Sequence, residues 1–198
     1  MNLSLTEDNK QTILNLRFML VLKQLSDEIV ELEEDSANIY SYMLTFCSQM
    51  LRIKNLEIHS DELFEQGIVD IINAVLEKGF YFLFNEILEC LNLILSQAED
   101  KYPESLFRTI KKLSDSNFLQ SDAVTMYMRV YILMRLSRNK KSIPYFRDSN
   151  IVALVNLLLT REWNENIVPY CCNLLANISN ENSLLLQILD TNLVNTIF

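Results

Sequence analysis

The chain has 198 residues, 49% of them hydrophobic, with 17 Lys+Arg against 26 Asp+Glu and a net charge of −9. Two glycines and three prolines cannot furnish the tight turns of a sandwich, a barrel or a doubly wound sheet, and neither GxGxxG nor GxxxxGK[ST] occurs. The acidic balance argues against nucleic acid held by phosphate neutralisation, and a lone histidine, His59, excludes most sites built on imidazole.

The pattern that remains is all-helical, with Leu alone occurring 34 times. Near the N-terminus, Leu14, Met19, Leu22, Leu25, Ile29 and Leu32 recur at three- to five-residue steps and approximate one helix face. The apolar run Phe18–Leu22 is short and flanked by Arg17 and Lys23, so it is not a signal peptide. No segment approaches the roughly 18 consecutive apolar residues that span a bilayer. A cytoplasmic or nuclear location is the expectation. Six acids and no base fall between Asp27 and Asp35. Such a run reads as a solvated helix face, with recruitment of a basic partner as the alternative.

Residues 1–35 are expected to form capping helices, and 36–198 a set of repeats. Tyr40, Met43, Leu44, Cys47 and Leu51 mark the next helix face. His59 falls in Glu57-Ile58-His59-Ser60-Asp61, which reads as a loop. Glu86 and Glu89 share a helix face at i, i+3 and read as solvated. The four cysteines, Cys47, Cys90, Cys171 and Cys172, form no CxxC pair and read as free thiols of a reducing compartment. Trp163 reads as a packing residue over a helix start. No residue set has the spacing of a nucleophile with its base or of a metal site, so neither catalysis nor a cofactor is expected.

The chain also repeats itself. The stretch from Arg135 (RLSRNKKSIPYFRDSNIVALV) aligns without gaps on the stretch from Asn177 (NISNENSLLLQILDTNLVNTI), an offset of 42. Ser137 meets Ser179, Asp148 meets Asp190, and Asn150 meets Asn192. Related apolar motifs begin at Gly67 and Ser105. Starts near 67, 105, 150 and 192 give steps of 38, 45 and 42, the period of helical repeats. Each unit predicts a short first helix (Ser60–Gln66, Lys140–Arg147), a second (Gly67–Glu77, Asn150–Thr160) and a longer third (Phe82–Gln97, Asp122–Ser137, Glu165–Ser179). Gly67 stands at the turn between first and second helices, where positive φ is favoured, and Asn150 and Asn192 stand in the same place. Gly79 fits the turn before a third helix. Pro103 and Pro169 stand at helix starts, where a missing N–H costs little, and Pro144 falls in a short first helix.

The segment NENIVPYCCNLLANIS (164–179), followed by a short helix to Asp190 and then TNLVNTI, resembles an armadillo third helix leading into the next repeat. The resemblance covers roughly residues 36–198 and is weakest around 98–105; a HEAT-like reading is the second choice. It implies a right-handed α-solenoid of three to four armadillo-like three-helix repeats with an N-terminal helical cap. The apolar end at Leu193–Phe198 would then be covered by further repeats of a longer parent protein or by a partner.

The resemblance also implies a concave groove lined by third helices, in which an Asn near the helix end grips an extended peptide. A side-chain amide both donates and accepts, so it can mimic a strand partner. In this chain the Asn position carries Arg52, Ser96, Arg135 and Asn177. One turn earlier stand Ser48, Asn92, Tyr131 and Asn173. Two turns earlier stand Thr45, Glu89, Met128 and Tyr170. Only Asn177 keeps the family Asn, and no Trp occupies the aromatic position, so the Trp/Asn ladder of importin-α-like carriers is missing. The groove is expected to hold a protein segment whose charges meet Arg52 and Arg135. An importin-like carrier and a rigid subunit of a cytoskeletal or ciliary assembly are the alternatives. A second candidate surface is basic: Arg135, Arg138, Lys140, Lys141 and Arg147.

Overall fold

A computed structural model describes residues 6–29, 34–52, 56–97, 102–115, 122–160 and 166–191. Every regular element among them is helical. The chain divides into an N-terminal unit, residues 1–106, and a C-terminal unit, residues 107–198. The run 30–33, the segment 98–101, Trp163, Asn192 and the apolar end 193–198 lie outside the described residues.

The N-terminal unit holds α1 (Glu7–Asn15), α2 (Phe18–Glu28), α3 (Glu34–Leu51), α4 (Leu56–Glu65), α5 (Ile68–Lys78) and α6 (Phe84–Gln97). Helix α3 packs along α6 and α2 along α5. The trio α1–α3 therefore stands to α4–α6 as one layer of a stack stands to the next. The core is mainly aliphatic, with Leu44, Met50, Ile68, Ile71, Leu88 and Leu91 removed from solvent and Tyr40 and Phe84 buried among the aromatics. Burial of this kind supplies most of the stability of helices too short to persist alone.

Two expectations change here. The apolar residues from Leu14 to Ile29 do not share one helix face. Arg17 takes a left-handed conformation (φ 52°) and separates α1 from α2. Leu14 and Met19 are buried, whereas Val21 and Leu25 are exposed, because the break rotates the second segment out of register with the first. His59 lies within α4 rather than in a loop.

Gly67 behaves as its place in the repeat predicts. It links α4 to α5 at φ 86°, and its carbonyl accepts the N–H of Ile71 at 3.1 Å. An added Cβ would also sit 2.7 Å from the Lys23 side chain, whose ammonium pairs with Asp70 at 3.1 Å. Gly67→Ala should therefore lower unfolding free energy by about 1–2 kcal/mol, the usual cost of a left-handed alanine; a urea titration showing no loss would refute this. Gly79 closes α5 at φ 75°. Asn150 does not share the conformation: among the described residues only Arg17, Gly67 and Gly79 have positive φ. The link before the helix Ile151–Thr160 spans Asp148–Asn150 instead of two residues, so no single residue must reverse the chain. Asn150 offers its carbonyl to Leu154 N–H at 3.0 Å.

Helix α7 (Glu104–Phe107) spans the boundary between the units. The C-terminal unit holds α8 (Thr109–Leu113), α9 (Ala123–Ser137), α10 (Ile143–Arg147), α11 (Ile151–Thr160), α12 (Val168–Ile178) and α13 (Asn182–Asp190). Helix α9 packs along α12, α8 against α9 and α10, and α11 against α12 and α13. Asp122 caps α9: one carboxylate oxygen accepts from Val124 N–H (2.9 Å) and Thr125 N–H (3.0 Å). Those donors hold its carboxyl below the ordinary value, Thr125 contributing most. Pro144 and Pro169 fall in the first turns of α10 and α12.

Among the described residues one charged side chain is fully buried. Arg129, in the middle of α9, donates to the carbonyl oxygens of Leu113 and Asp115 at the end of α8. Burial lowers its pKa to about 10, so it remains a cation at neutral pH. It supplies donors at a helix end, where the carbonyls of the last turn lie beyond the reach of the intrahelical ladder.

Cys47, Cys90 and Cys171 are buried free thiols. Burial pushes Cys47 and Cys171 up to about 12 and Cys90 well above its ordinary value. At pH 8 a thiol near 12 is roughly one part in 10,000 thiolate, the reactive form. A disulfide reagent should titrate the half-exposed Cys172 of the native protein quickly and the other three only after unfolding. Fast reaction of three or four thiols would contradict the burial.

Candidate partner-binding faces

In the N-terminal unit the groove positions lie on α3, or just past its end, and on α6. Thr45 and Ser96 are exposed, Asn92 is half-buried and Ser48 is nearly buried. Ser48 donates its hydroxyl to the Glu89 carboxylate at 3.3 Å, and Arg52 forms an ion pair with that same oxygen. Lys10 donates to the Arg52 carbonyl at 3.1 Å. Arg52 is therefore already matched by Glu89, 37 residues away, and is not a cation waiting for a partner. Ser96 turns its hydroxyl back to Leu93 O (3.0 Å). This face is polar, small and largely self-satisfied.

The C-terminal unit carries a different face. Tyr127, Tyr131 and Arg135 follow each other at four-residue steps along α9, and Tyr170 faces them from α12. The Tyr127 and Tyr170 hydroxyls are 2.8 Å apart, and their rings meet edge to face at 5.0 Å. Tyr131 meets Tyr170 edge to face at 5.6 Å. Edge-to-face pairs at these distances add to the value of simple burial. The Arg135 guanidinium donates to the Tyr131 hydroxyl at 3.1 Å and lies 5.9 Å from its ring centre. The hydrogen bond to Tyr170 is the main cause that raises the Tyr127 phenol above its ordinary value. These contacts hold Arg135 and the three tyrosines against one another.

Sequence spacing brought Tyr131, Tyr170 and Arg135 to this face and missed Tyr127. Spacing assigns the third position to Met128, which is half-buried, whereas Tyr127 is exposed. The signal was present: Tyr127 and Tyr131 are i, i+4. Asn173 is exposed on α12. Asn177 donates its amide N–H to the Ser137 hydroxyl oxygen at 2.9 Å, tying α12 to α9, and Ser137 in turn donates to Met134 O at 2.7 Å.

Beside Asn177 opens a cleft of about 550 Å³, lined by Ser137, Arg138, Lys140, Asn177, Asn180 and Glu181, with Ile143 as its aliphatic member. Among the described residues no three His, Cys, Asp or Glu side chains converge as metal ligands, and no helix is long and apolar enough to cross a membrane.

Stacked helical layers with an ordered, solvent-facing third-helix face define an α-helical repeat protein, and the fold is that of the armadillo repeat. Among solved structures the chain is similar to a designed armadillo repeat protein in complex with the peptide (KR)4, with a TM-score of 0.63 and 13% identity. The match covers 96% of this chain and 77% of that one. No family model and no curated protein matches the sequence.

Proposed function

We propose that the chain is a non-catalytic protein-binding scaffold that holds an extended partner segment on the α9–α12 face. One observation carries this reading: three tyrosines and Arg135 form a hydrogen-bonded, partly solvent-facing surface in the middle of otherwise apolar helices, with Asn173 exposed beside them. Aromatic and Arg side chains are enriched among the residues that dominate interfaces. The likeness to a peptide-bound armadillo protein supports the same reading.

Peptide display against the folded chain tests it. Selected peptides should lose about tenfold or more in affinity, roughly 1.4 kcal/mol, in a Tyr127→Ala/Asn173→Ala variant, since both side chains are exposed and their removal leaves the core intact. Equal binding by that variant, or no enriched peptide, would set the reading aside.

The importin-like carrier is the second reading, favoured by the basic peptide in the similar structure. Fluorescence anisotropy with a (KR)4 peptide decides it. No binding at tens of micromolar removes that reading.

A further inference from the structure

We propose that the cleft at the ends of α9 and α12 is an anion subsite that seats a carboxylate side chain of an acidic partner segment. The inference rests on the scaffold reading and names the chemistry of its ligand.

The charge of the molecule is unevenly divided. Residues 1–106 carry 7 Lys+Arg against 19 Asp+Glu, and residues 107–198 carry 10 against 7. A protein of net charge −9 thus keeps a surplus of cations in its C-terminal unit. Arg138 and Lys140 stand in the cleft, and Lys141 is exposed beside Lys140. Among the described residues none of these three has an ion pair, whereas Arg147, the other exposed cation nearby in sequence, pairs with Asp148 at 3.2 Å. Unpaired like charges held on one turn repel each other, and an incoming anion relieves that repulsion.

The remaining lining suits a peptide carboxylate. Asn177 and Asn180 bring amide donors, and Arg138 offers a planar fork that can bind a carboxylate through two parallel hydrogen bonds. Glu181 also lines the cleft, its carboxylate accepting from the Ser183 hydroxyl at 2.9 Å. A fixed negative charge there disfavours a doubly charged phosphate more than a singly charged carboxylate. Asn177 lines the cleft and, one turn along α12 from Asn173, ties that helix to Ser137 of α9, so the cleft adjoins the tyrosine face.

Anisotropy of a fluorescein-labelled octaglutamate tests the proposal, with (KR)4, a phosphoserine peptide and phosphatidylserine vesicles as the competing probes. Octaglutamate should bind best and weaken as salt is raised. An Arg138→Glu/Lys140→Glu variant should lose about tenfold or more, since like charges set against each other cost heavily. Both positions are exposed, and an unchanged melting temperature would confirm that the variant folds. Asn180→Ala, also exposed, should lose less and serves as the second variant. Overturning results are absence of octaglutamate binding at about 1 mM, equal binding by the charge-reversed variant, or preference for any of the competing probes. Display-selected peptides that need Tyr127 and Asn173 but carry no acidic residues would leave the scaffold standing and sink this proposal alone.

Discussion

Arg129→Ala should lower the stability of the C-terminal unit by about 3–5 kcal/mol, the range found when one partner of a buried charged contact is removed. The side chain is inaccessible to solvent and its guanidinium satisfies the carbonyls of Leu113 and Asp115. Its removal takes away those two hydrogen bonds and leaves a cavity where the stem lay. Arg129→Lys keeps the charge but presents no planar fork, so it should recover only part of the loss. Urea denaturation of the three proteins would measure this, and a loss of under about 1 kcal/mol for the alanine variant would show that water reaches those carbonyls readily.

A loss of similar size is expected from Phe146→Ala, about 3–5 kcal/mol for a buried Phe. Helix α10 has five residues, far below the length that is stable alone. Phe146, fully buried, is its main anchor. At its start the Ser142 hydroxyl bonds to Leu136 O (2.8 Å) and Asn139 O (2.7 Å). Loss of the ring should release residues 140–147 first, exposing their amides to exchange before those of α9 and α12. Ile143 and Lys140 line the cleft, so acidic peptides should bind this variant more weakly even where the rest of the unit stays folded. Amide exchange rising uniformly through the unit, with no early loss at 140–147, would contradict this order.

Much of the architecture is legible in the sequence because repeats place the same demand at the same point. Gly67 announces a left-handed link, and the link is there. Asn150 occupies the aligned position but not the conformation, because a longer connection removes the demand; spacing alone does not report loop geometry. The break at Arg17 was illegible for a related reason: no glycine or proline marks it. Periodicity cannot distinguish Arg129 from Arg135, since both are cations in the apolar helix AVTMYMRVYILMRLS. One is buried under α8 and the other lies beside Tyr131, and only the partners that tertiary packing supplies decide which.

The candidate site divides the same way. Helical spacing gathers Tyr131, Arg135, Tyr170, Asn173 and Asn177 on two adjacent helices, as the structure has them. What spacing could not supply is pairing between side chains far apart in sequence. Arg52 with Glu89 and Asn177 with Ser137 are such pairs. They give Arg52 and Asn177 partners within the protein, with one Asn177 N–H still free to face the cleft, and leave Arg138 and Lys140 as the cleft's cations without an ion pair.

The central claim is that a partner segment lies on the α9–α12 face. An amide NMR shift map of the 23.2 kDa chain, recorded while titrating a display-selected peptide, tests it most directly. Shifts should concentrate on residues 127–140 and 170–181, and should disappear in the Tyr127→Ala/Asn173→Ala variant. Shifts confined to α3 and α6, or to the exposed apolar side chains of α2 or α13, would place the partner elsewhere and contradict the account.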